Sequence, residues 1–193
     1  MPDIPRLNPA IRALESGKPA FVTFSPADLV PRYHNTYREK ARQYGYEASP
    51  DQLGWACPIY VADTDDRARE DAGLAVETLF NDFLRQTFEM LTPPGYTSIG
   101  SMKNFISMRR GLLGGRATAE GLIESGTALI GSPKTVLAGI KRMRERTGFG
   151  ILVALLQFGI LSDDLTRRNM DLFAAEVMPH LKRLEGAPSF HDA

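Results

Sequence analysis

The sequence predicts an α/β fold with about three or four mainly parallel strands and about five or six flanking helices. Three consecutive features near the end of the chain carry this prediction. Ser132 and Pro133 begin a helix, residues 151–156 form an apolar strand, and Ser162 begins a second helix. An apolar run without alternation is typical of a strand that is covered on both faces. One such unit cannot cover both faces of its own strand, so we expect neighbouring units.

The ends of these two helices carry local signals. A serine side chain can cap free backbone N–H groups, and proline suits the first helical position, which favours a start at Ser132 and Pro133. Gly148 stands where the end of a helix favours a left-handed residue. Acidic residues follow Ser162, in the first turn, where the helix dipole favours them. The core face of the first helix consists of apolar residues at helical spacing: Val136, Leu137, Ile140 and Met143.

The first half of the chain contains shorter elements. Residues 10–14 are predicted to form a short helix, residues 21–24 a short strand and residues 32–46 a polar helix. Residues 55–62 form a further strand, which contains Pro58. Because proline lacks a backbone donor, we expect this strand to lie at an edge, to carry a bulge, or to start after the proline.

A long helix is predicted to follow, capped by Asp63 or Thr64. The carboxylates of Asp63, Asp65 and Asp66 are interpreted as groups that complement the dipole of this helix rather than as an acid/base pair. The wide apolar face of the helix indicates core packing and consists of Ala68, Ala72, Ala75, Val76, Leu79, Phe80, Phe83 and Leu84.

The middle of the chain has a different character. Residues 92–116 lack clear periodicity and contain several glycines, which predicts a lid or insertion over residues 92–126. Short helices are predicted within this region, at residues 102–110 and 117–125. A short extended segment is predicted to follow at residues 127–130.

The composition excludes several classes of protein. Of 193 residues, 23 are Lys or Arg and 23 are Asp or Glu, which gives no electrostatic basis for binding nucleic acid or an anionic membrane. No apolar run approaches a membrane span, and no signal-like core begins the chain, so we expect a cytoplasmic protein. Cys57 is the single cysteine and the three histidines are scattered, so we predict no metal site and an inert thiol.

A series of short motifs occurs along the chain in a fixed order. They are LGW at 53–55, YVADTDDRAR at 60–69, GSPKTV at 131–136, RTGFG at 146–150, LLQFG at 155–159 and LFAAEVMP at 172–179. In order and spacing these motifs resemble the C-terminal part of the luciferase-like monooxygenases, over roughly residues 33–184. The resemblance implies a flavin-dependent enzyme with a TIM barrel. A complete barrel needs about 250 residues, so we expect a truncated, incomplete one.

The resemblance also implies an activity and a domain organisation. Reduced flavin mononucleotide (FMN) would react with oxygen and oxidise a small organic substrate, and a deazaflavin is the alternative coenzyme. The N-terminal barrel strands, which supply much of the family's flavin pocket and its catalytic histidine, have no counterpart here, so no catalytic residue is assigned. Residues 1–30 form a segment of separate character that faintly resembles the start of a citrate-lyase-type aldolase, and residues 31–193 form the monooxygenase-like region.

Four candidate cofactor-binding residues lie at ends of secondary-structure elements. Gly131 and Ser132 begin a helix whose free N–H groups suit an anion, although any capped helix offers this geometry. Gln157 and Phe158 follow the apolar strand predicted at residues 151–156, at the end where barrel enzymes place their sites. Their side chains could contact a ring or a substrate, and ordinary packing at the barrel mouth is the alternative.

A fifth candidate is Arg116, which closes a glycine-rich loop over residues 111–116. Backbone N–H groups of such a loop, with the guanidinium, could hold a phosphate. The loop lacks the strand-before and helix-after context of a nucleotide fingerprint, so a flexible hinge is the alternative.

A second hypothesis for the function is a non-catalytic barrel fragment or partner subunit. An incomplete barrel leaves strand edges unpaired, and such edges pair readily with another chain. A second copy of the chain or a barrel-completing partner could then close the sheet.

Overall fold

The computed structural model describes residues 20–84, 97–100, 102–103 and 116–183. The helix predicted at residues 10–14 lies outside the described residues. So do all residues of the glycine-rich loop before Arg116 and most of the helix predicted at residues 102–110.

The strands of the described residues form one open, parallel sheet. They are β1 (Phe21–Thr23), β2 (Leu53–Val61), β3 (Leu129–Gly131) and β4 (Ile151–Leu155). β2 is the central strand and pairs in parallel with β1, with β3 and with β4. The predicted α/β class with an incomplete parallel sheet is therefore confirmed. β1 also shows that the described end of the N-terminal segment is part of the sheet.

The register of β2 explains how the strand accommodates Pro58. Val22 of β1 and Ile151 of β4 both pair with Gly54, so β1 and β4 lie on opposite edges of β2. Pro58 is the last residue that pairs with β4, and Ile59 is the first that pairs with β3. Among the described residues, residues 56–58 of β2, which include Pro58, pair only with β4, so the N–H that proline lacks falls in a stretch of β2 that is paired on one edge. The predicted start after the proline was wrong, because β2 begins at Leu53, and the register with β4 runs through Pro58 without a bulge. The predicted edge position holds only for this stretch.

The helices lie between and after the strands. In the described residues they are α1 (Val30–Gln43), α2 (Asp65–Thr78), α3 (Ala119–Glu124), α4 (Pro133–Thr147), α5 (Asp163–Leu172) and α6 (Met178–Lys182). α2 and α5 each continue into a π-helical turn, at Leu79–Phe83 and Phe173–Val177. No helix in this part of the chain is long and apolar enough to span a membrane.

The predicted helix ends are confirmed. The Oγ atoms of Ser132 and Ser162 each accept a hydrogen bond from the backbone N–H three residues later. Thr64 rather than Asp63 caps α2 in the same way. Gly148 ends α4 in the left-handed conformation, with φ of 63°. Side-chain caps of this kind contribute about 1 kcal/mol each.

Helices cover both faces of β2. The first core contains alternate residues of β2 together with residues of α1 and α4: Leu53, Trp55, Cys57, Ile59, Val61, Val30, Val136, Ile140 and Met143. The second core lies on the other face, with α2 and α3: Tyr60, Ala62, Ala68, Ala72, Ala75, Val76, Ala119 and Leu122. Burial of one large aliphatic side chain stabilises the fold by about 1.5–3 kcal/mol.

β4 is covered less than the sequence predicts. Leu152, Ala154 and Leu156 pack against the first core, but Val153 is 39 % exposed. No residue of β4 belongs to the second core, and β4 pairs only with β2 among the described residues. The prediction that this strand is covered on both faces was wrong, because β4 is an edge strand and the second core does not extend across it.

The apolar face of α2 is shorter than predicted. It is buried as far as Val76, and Leu79 and Phe80 still pack, half-buried, against the second core, whereas Phe83 is 61 % exposed and Leu84 is also exposed. The π-helical turn at Leu79–Phe83 adds a residue to the helical repeat, so the following residues no longer face the core.

Candidate functional site

The C-terminal ends of β2 and β3 meet at one point. Val61 pairs with Gly131, the last residue of each strand, and the N–H of Ala62 donates to the carbonyl of Gly131 at 3.2 Å. Each strand continues within a few residues into a helix, α2 after β2 and α4 after β3. Parallel α/β proteins bind ligands at the C-terminal ends of their strands, because the loops and helix N-termini converge there.

The carboxylate of Asp65 occupies the space between these two helix starts. Asp65 is the first residue of α2, and its Oδ1 accepts a hydrogen bond from the backbone N–H of Ser132 at 2.6 Å. Its Oδ2 accepts a hydrogen bond from the hydroxyl of Thr135 at 3.0 Å. One carboxylate thus satisfies two donors of the first turn of α4, while its own helix dipole also stabilises its charge.

Gly131 is what allows this carboxylate to come so close. A Cβ atom at position 131 would lie 2.8 Å from Oδ1 of Asp65 and 2.9 Å from Cγ2 of Thr135. Both distances are shorter than a carbon atom tolerates, so a larger residue would displace the carboxylate or the helix. The glycine selected from the sequence as an anion-site residue is therefore adjacent to an anion that the chain itself supplies.

Hydrogen bonding stabilises the ionised form of Asp65 and shifts its pKa. The backbone N–H of Ser132 is the largest influence and lowers the pKa of Asp65, while partial burial raises it. Donors from Thr135 and the positive charge of Arg69 lower the pKa further. The carboxylate was predicted only as a complement to the dipole of α2. Its bond to α4 joins residues 67 positions apart, and no local pattern could have indicated it.

Asn169 forms hydrogen bonds at the C-terminal ends of β2 and β4. Its side chain lies on α5 and is fully buried. Its Oδ1 accepts from the N–H of Val61 at 2.8 Å, and its Nδ2 donates to the carbonyls of Ile59 at 2.9 Å and Leu156 at 2.8 Å. Three backbone groups at the ends of β2 and β4 are therefore satisfied by one amide. The sequence analysis did not identify this residue.

Gln157 and Phe158 follow β4 but differ in exposure. Phe158 is 4 % exposed and belongs to the second core, with Tyr60 and Leu161, whereas Gln157 is exposed. Packing accounts for the position of Phe158, and a contact of either residue with a cofactor stays a prediction.

Arg116 lies away from these contacts, before α3. Its side chain is 80 % exposed and its guanidinium is 4.0 Å from the carboxylate of Asp82. An exposed pair at this distance contributes little to stability. The phosphate-binding role of Arg116 stays a prediction.

Other polar groups of the described residues have structural partners. The hydroxyl of Tyr60 donates to Asp71 at 3.2 Å, and Arg67 pairs with the same carboxylate at 2.8 Å. Burial and then Asp71 raise the pKa of Tyr60 to about 12. Burial raises the pKa of the Cys57 thiol, which makes it a poor nucleophile. The described residues contain no group of three metal-ligating side chains.

The polar groups at the C-terminal ends of the strands are hydrogen-bonded to one another. In the described residues, Asp65 and Asn169 satisfy backbone donors and acceptors where a ligand would otherwise contact them. Gly131 and Ser132 lie together at this point, whereas the exposed Arg116 lies beside Asp82 of the π-helical turn that follows α2.

No family model matches the chain, and no curated protein matches it. The solved structures that share its fold include two monooxygenases. Monooxygenase RslO1 from Streptomyces bottropensis is 21% identical, with a TM-score of 0.56, over 89% of this chain and 44% of that chain. The oxygenating constituent of 3,6-diketocamphane monooxygenase from Pseudomonas putida, a type II Baeyer–Villiger monooxygenase in complex with FMN, is 23% identical. Its TM-score is 0.59, over 87% of this chain and 44% of that chain.

These matches confirm, at the level of the fold, the resemblance to luciferase-like monooxygenases that the motifs indicate. The chain spans less than half of the length of the monooxygenases it matches. It therefore has the fold of one part of such a barrel, with an open sheet of parallel strands and flanking helices.

Proposed function

We propose that this chain is one part of a flavin-dependent monooxygenase of the luciferase-like type, and that it acts on a small organic substrate when its sheet is completed. The observation that carries the proposal is the shared fold over 87% of the chain with a monooxygenase in complex with FMN. When bound, reduced flavin supplies the reaction with oxygen, and the protein orients the reactants and excludes water. FMN is the proposed cofactor, with a deazaflavin as the alternative.

Flavin binding tests this proposal directly. The purified chain is titrated into FMN, riboflavin and a deazaflavin, and fluorescence quenching and calorimetric heat are measured. Saturable quenching of one of them supports the proposal. Absence of binding to all three at high micromolar concentration, by the chain alone and by the chain mixed with a complementary barrel half, contradicts it.

A second candidate function is a non-catalytic subunit that completes its sheet with a second copy or with a complementary barrel half. The edge of β4 favours it. Among the described residues β4 pairs only with β2, and Val153 in its centre is exposed. The strand consists of Ile, Leu, Val, Ala and Leu, without the lysine, proline or bulge that commonly protects an edge from pairing.

Association in solution tests the second candidate. We expect the mass measured by analytical ultracentrifugation to rise with concentration, and Val153→Lys to weaken this association by at least about tenfold. Leu74→Lys is the matched control, because Leu74 is an equally apolar and more exposed residue on α2. A monomer at all concentrations, or equal effects of the two substitutions, would exclude self-association through β4. If the chain also forms no complex with a complementary barrel half in the same measurement, the partner-subunit alternative is excluded as well.

A further inference from the structure

We infer that Asp65 is a built-in anion that excludes the phosphate of a flavin, or any phosphate monoester, from the N-terminus of α4. The inference rests on the proposed function only for the class of ligand. It concerns the point where the ends of β2 and β3 meet, which is where a parallel α/β fold would be expected to hold a ligand phosphate.

The geometry of the carboxylate carries the first step. The N–H of Ser132 and the hydroxyl of Thr135 are the donors that a phosphate would use, and each already donates to its own oxygen of Asp65. A phosphate on the same donors would lie within a few ångström of a carboxylate. Two anions at that separation repel each other, and the repulsion is strongest where water is partly excluded.

The start of α2 is fixed beside the start of α4, and this carries the second step. Asp65 is the first residue of α2, and the cap that Thr64 makes with Arg67 holds the start of that helix in place. The glycine at position 131 leaves room for the carboxylate and for little else, because a single added carbon would already be 2.8 Å from Oδ1. The position is thus shaped around Asp65.

The consequence concerns how the chain could contribute to flavin binding. If the assembled protein binds FMN, its phosphate is held by groups other than the first turn of α4, such as those of a completing chain. The first turn of α4 then has a structural role, in which it ties the β2–α2 junction to the β3–α4 junction.

The test uses inorganic phosphate as the probe and the backbone amide signal of Ser132 as the readout. In the unaltered protein, we expect no saturable change of the Ser132 signal when phosphate replaces chloride at constant ionic strength. In Asp65→Ala, we expect a saturable change, with phosphate affinity at least about tenfold higher than in the unaltered protein. Asp66→Ala is the matched control, because Asp66 pairs with Arg69 and makes no bond to α4. It should behave like the unaltered protein.

Two outcomes would overturn the inference. One is a saturable response of Ser132 to phosphate in the unaltered protein, and the other is no response in a folded Asp65→Ala variant. Asp65→Asn keeps the shape and removes the charge, so it provides the same comparison if the alanine variant does not fold. We expect it to bind phosphate more tightly than the unaltered protein, and an equal affinity would also overturn the inference.

A flavin titration of the same variants separates this inference from the proposed function. Because the phosphate of FMN would be held elsewhere, Asp65→Asn should leave the ratio of the affinities for FMN and for riboflavin, which lacks the phosphate, unchanged. A selective loss of affinity for FMN in this variant contradicts the inference. Absence of flavin binding by every variant, alone and mixed with a complementary barrel half, contradicts the proposed function and leaves the phosphate titration as the deciding measurement for Asp65.

Discussion

The side-chain oxygen of Asn169 accepts a hydrogen bond from the backbone N–H of Val61, with 2.8 Å between the two atoms. Val61 is the last residue of β2, and the same amide also donates to the carbonyls of Ile59 and Leu156. The side chain of Asn169 on α5 therefore makes, at the ends of β2 and β4, the hydrogen bonds that a neighbouring strand would otherwise make. It also fixes the position of α5 against the edge of the sheet.

Asn169→Ala should be one of the most destabilising substitutions in the chain. It would leave the N–H of Val61 and two carbonyls without their partner in a buried place, and each such group costs about 1–3 kcal/mol. We expect the free energy of unfolding, measured in urea, to fall by about 3 kcal/mol, because some groups will recover a bond to water. Asn35→Ala is the control: Asn35 is exposed and accepts one bond from Arg38. Equal losses in the two variants would contradict the role given to Asn169.

The fold was predictable where its signals are local. Ser132, Ser162 and Gly148 each stand at a helix end that a few neighbouring residues define, and the structure has those ends. The parallel class follows from helix–strand–helix units, because a helix between two strands acts as the crossover that parallel pairing needs and excludes a tight antiparallel hairpin. The exposed side of Val153 could not be predicted in this way, because it depends on how far the helices of the second core reach.

The candidate site was less predictable, because its contacts join distant parts of the chain. Ser132 was correctly identified as the start of a helix that suits an anion, but the anion is Asp65, 67 residues earlier. Asn169 bonds to Val61, 108 residues earlier, from a polar position of an amphipathic helix. A sequence shows that such residues are polar. It does not show which backbone groups they reach after folding.

Acid should destabilise the protein partly through Asp65. The N–H of Ser132 lowers the pKa of this carboxyl in the folded protein relative to its ordinary value of 3.8. The resulting stabilisation is present above about pH 4 and is lost as the pH falls through the folded-state pKa. We expect Asp65→Asn to flatten the dependence of the free energy of unfolding on pH below about pH 4, measured by urea denaturation. An unchanged slope would show that the carboxylate is not bonded as described.

His34 should make the protein sensitive to weakly acidic conditions. The ring is fully buried, and its Nε2 lies 3.1 Å from the carbonyl of Gly54, so Nε2 carries the proton. Within the described part of the chain, its Nδ1 makes no hydrogen bond of ordinary geometry. Burial is the main cause that lowers the pKa of His34, and the charge of Arg38 adds to it.

The sign of the effect follows from that shift. Because the folded protein holds His34 neutral below its ordinary pKa of 6.5, the unfolded chain binds more protons there, and stability falls as the pH drops below about 6.5. His34→Gln keeps a donor for Gly54 and should flatten this dependence. His180→Gln, a change at an exposed position of α6, should leave it as it is. If both variants keep the slope of the unaltered protein, another group is responsible.

Gly159 tests how tightly the segment after β4 packs against α2. Its φ is +57°, and a Cβ atom there would lie 2.0 Å from the carbonyl oxygen of Ala75. Gly159→Ala should therefore lower the free energy of unfolding by at least about 2 kcal/mol, since it adds a clash with the backbone to the cost of the left-handed conformation. Gly45→Ala is the matched control, because Gly45 has φ of +82° with nothing within 4 Å of an added Cβ. We expect it to cost only the conformational part, about 1 kcal/mol, in the same urea measurement. Equal losses at the two positions would mean that the segment after β4 does not pack against Ala75. Gly159 would then not help to hold the neighbouring Phe158 in the second core.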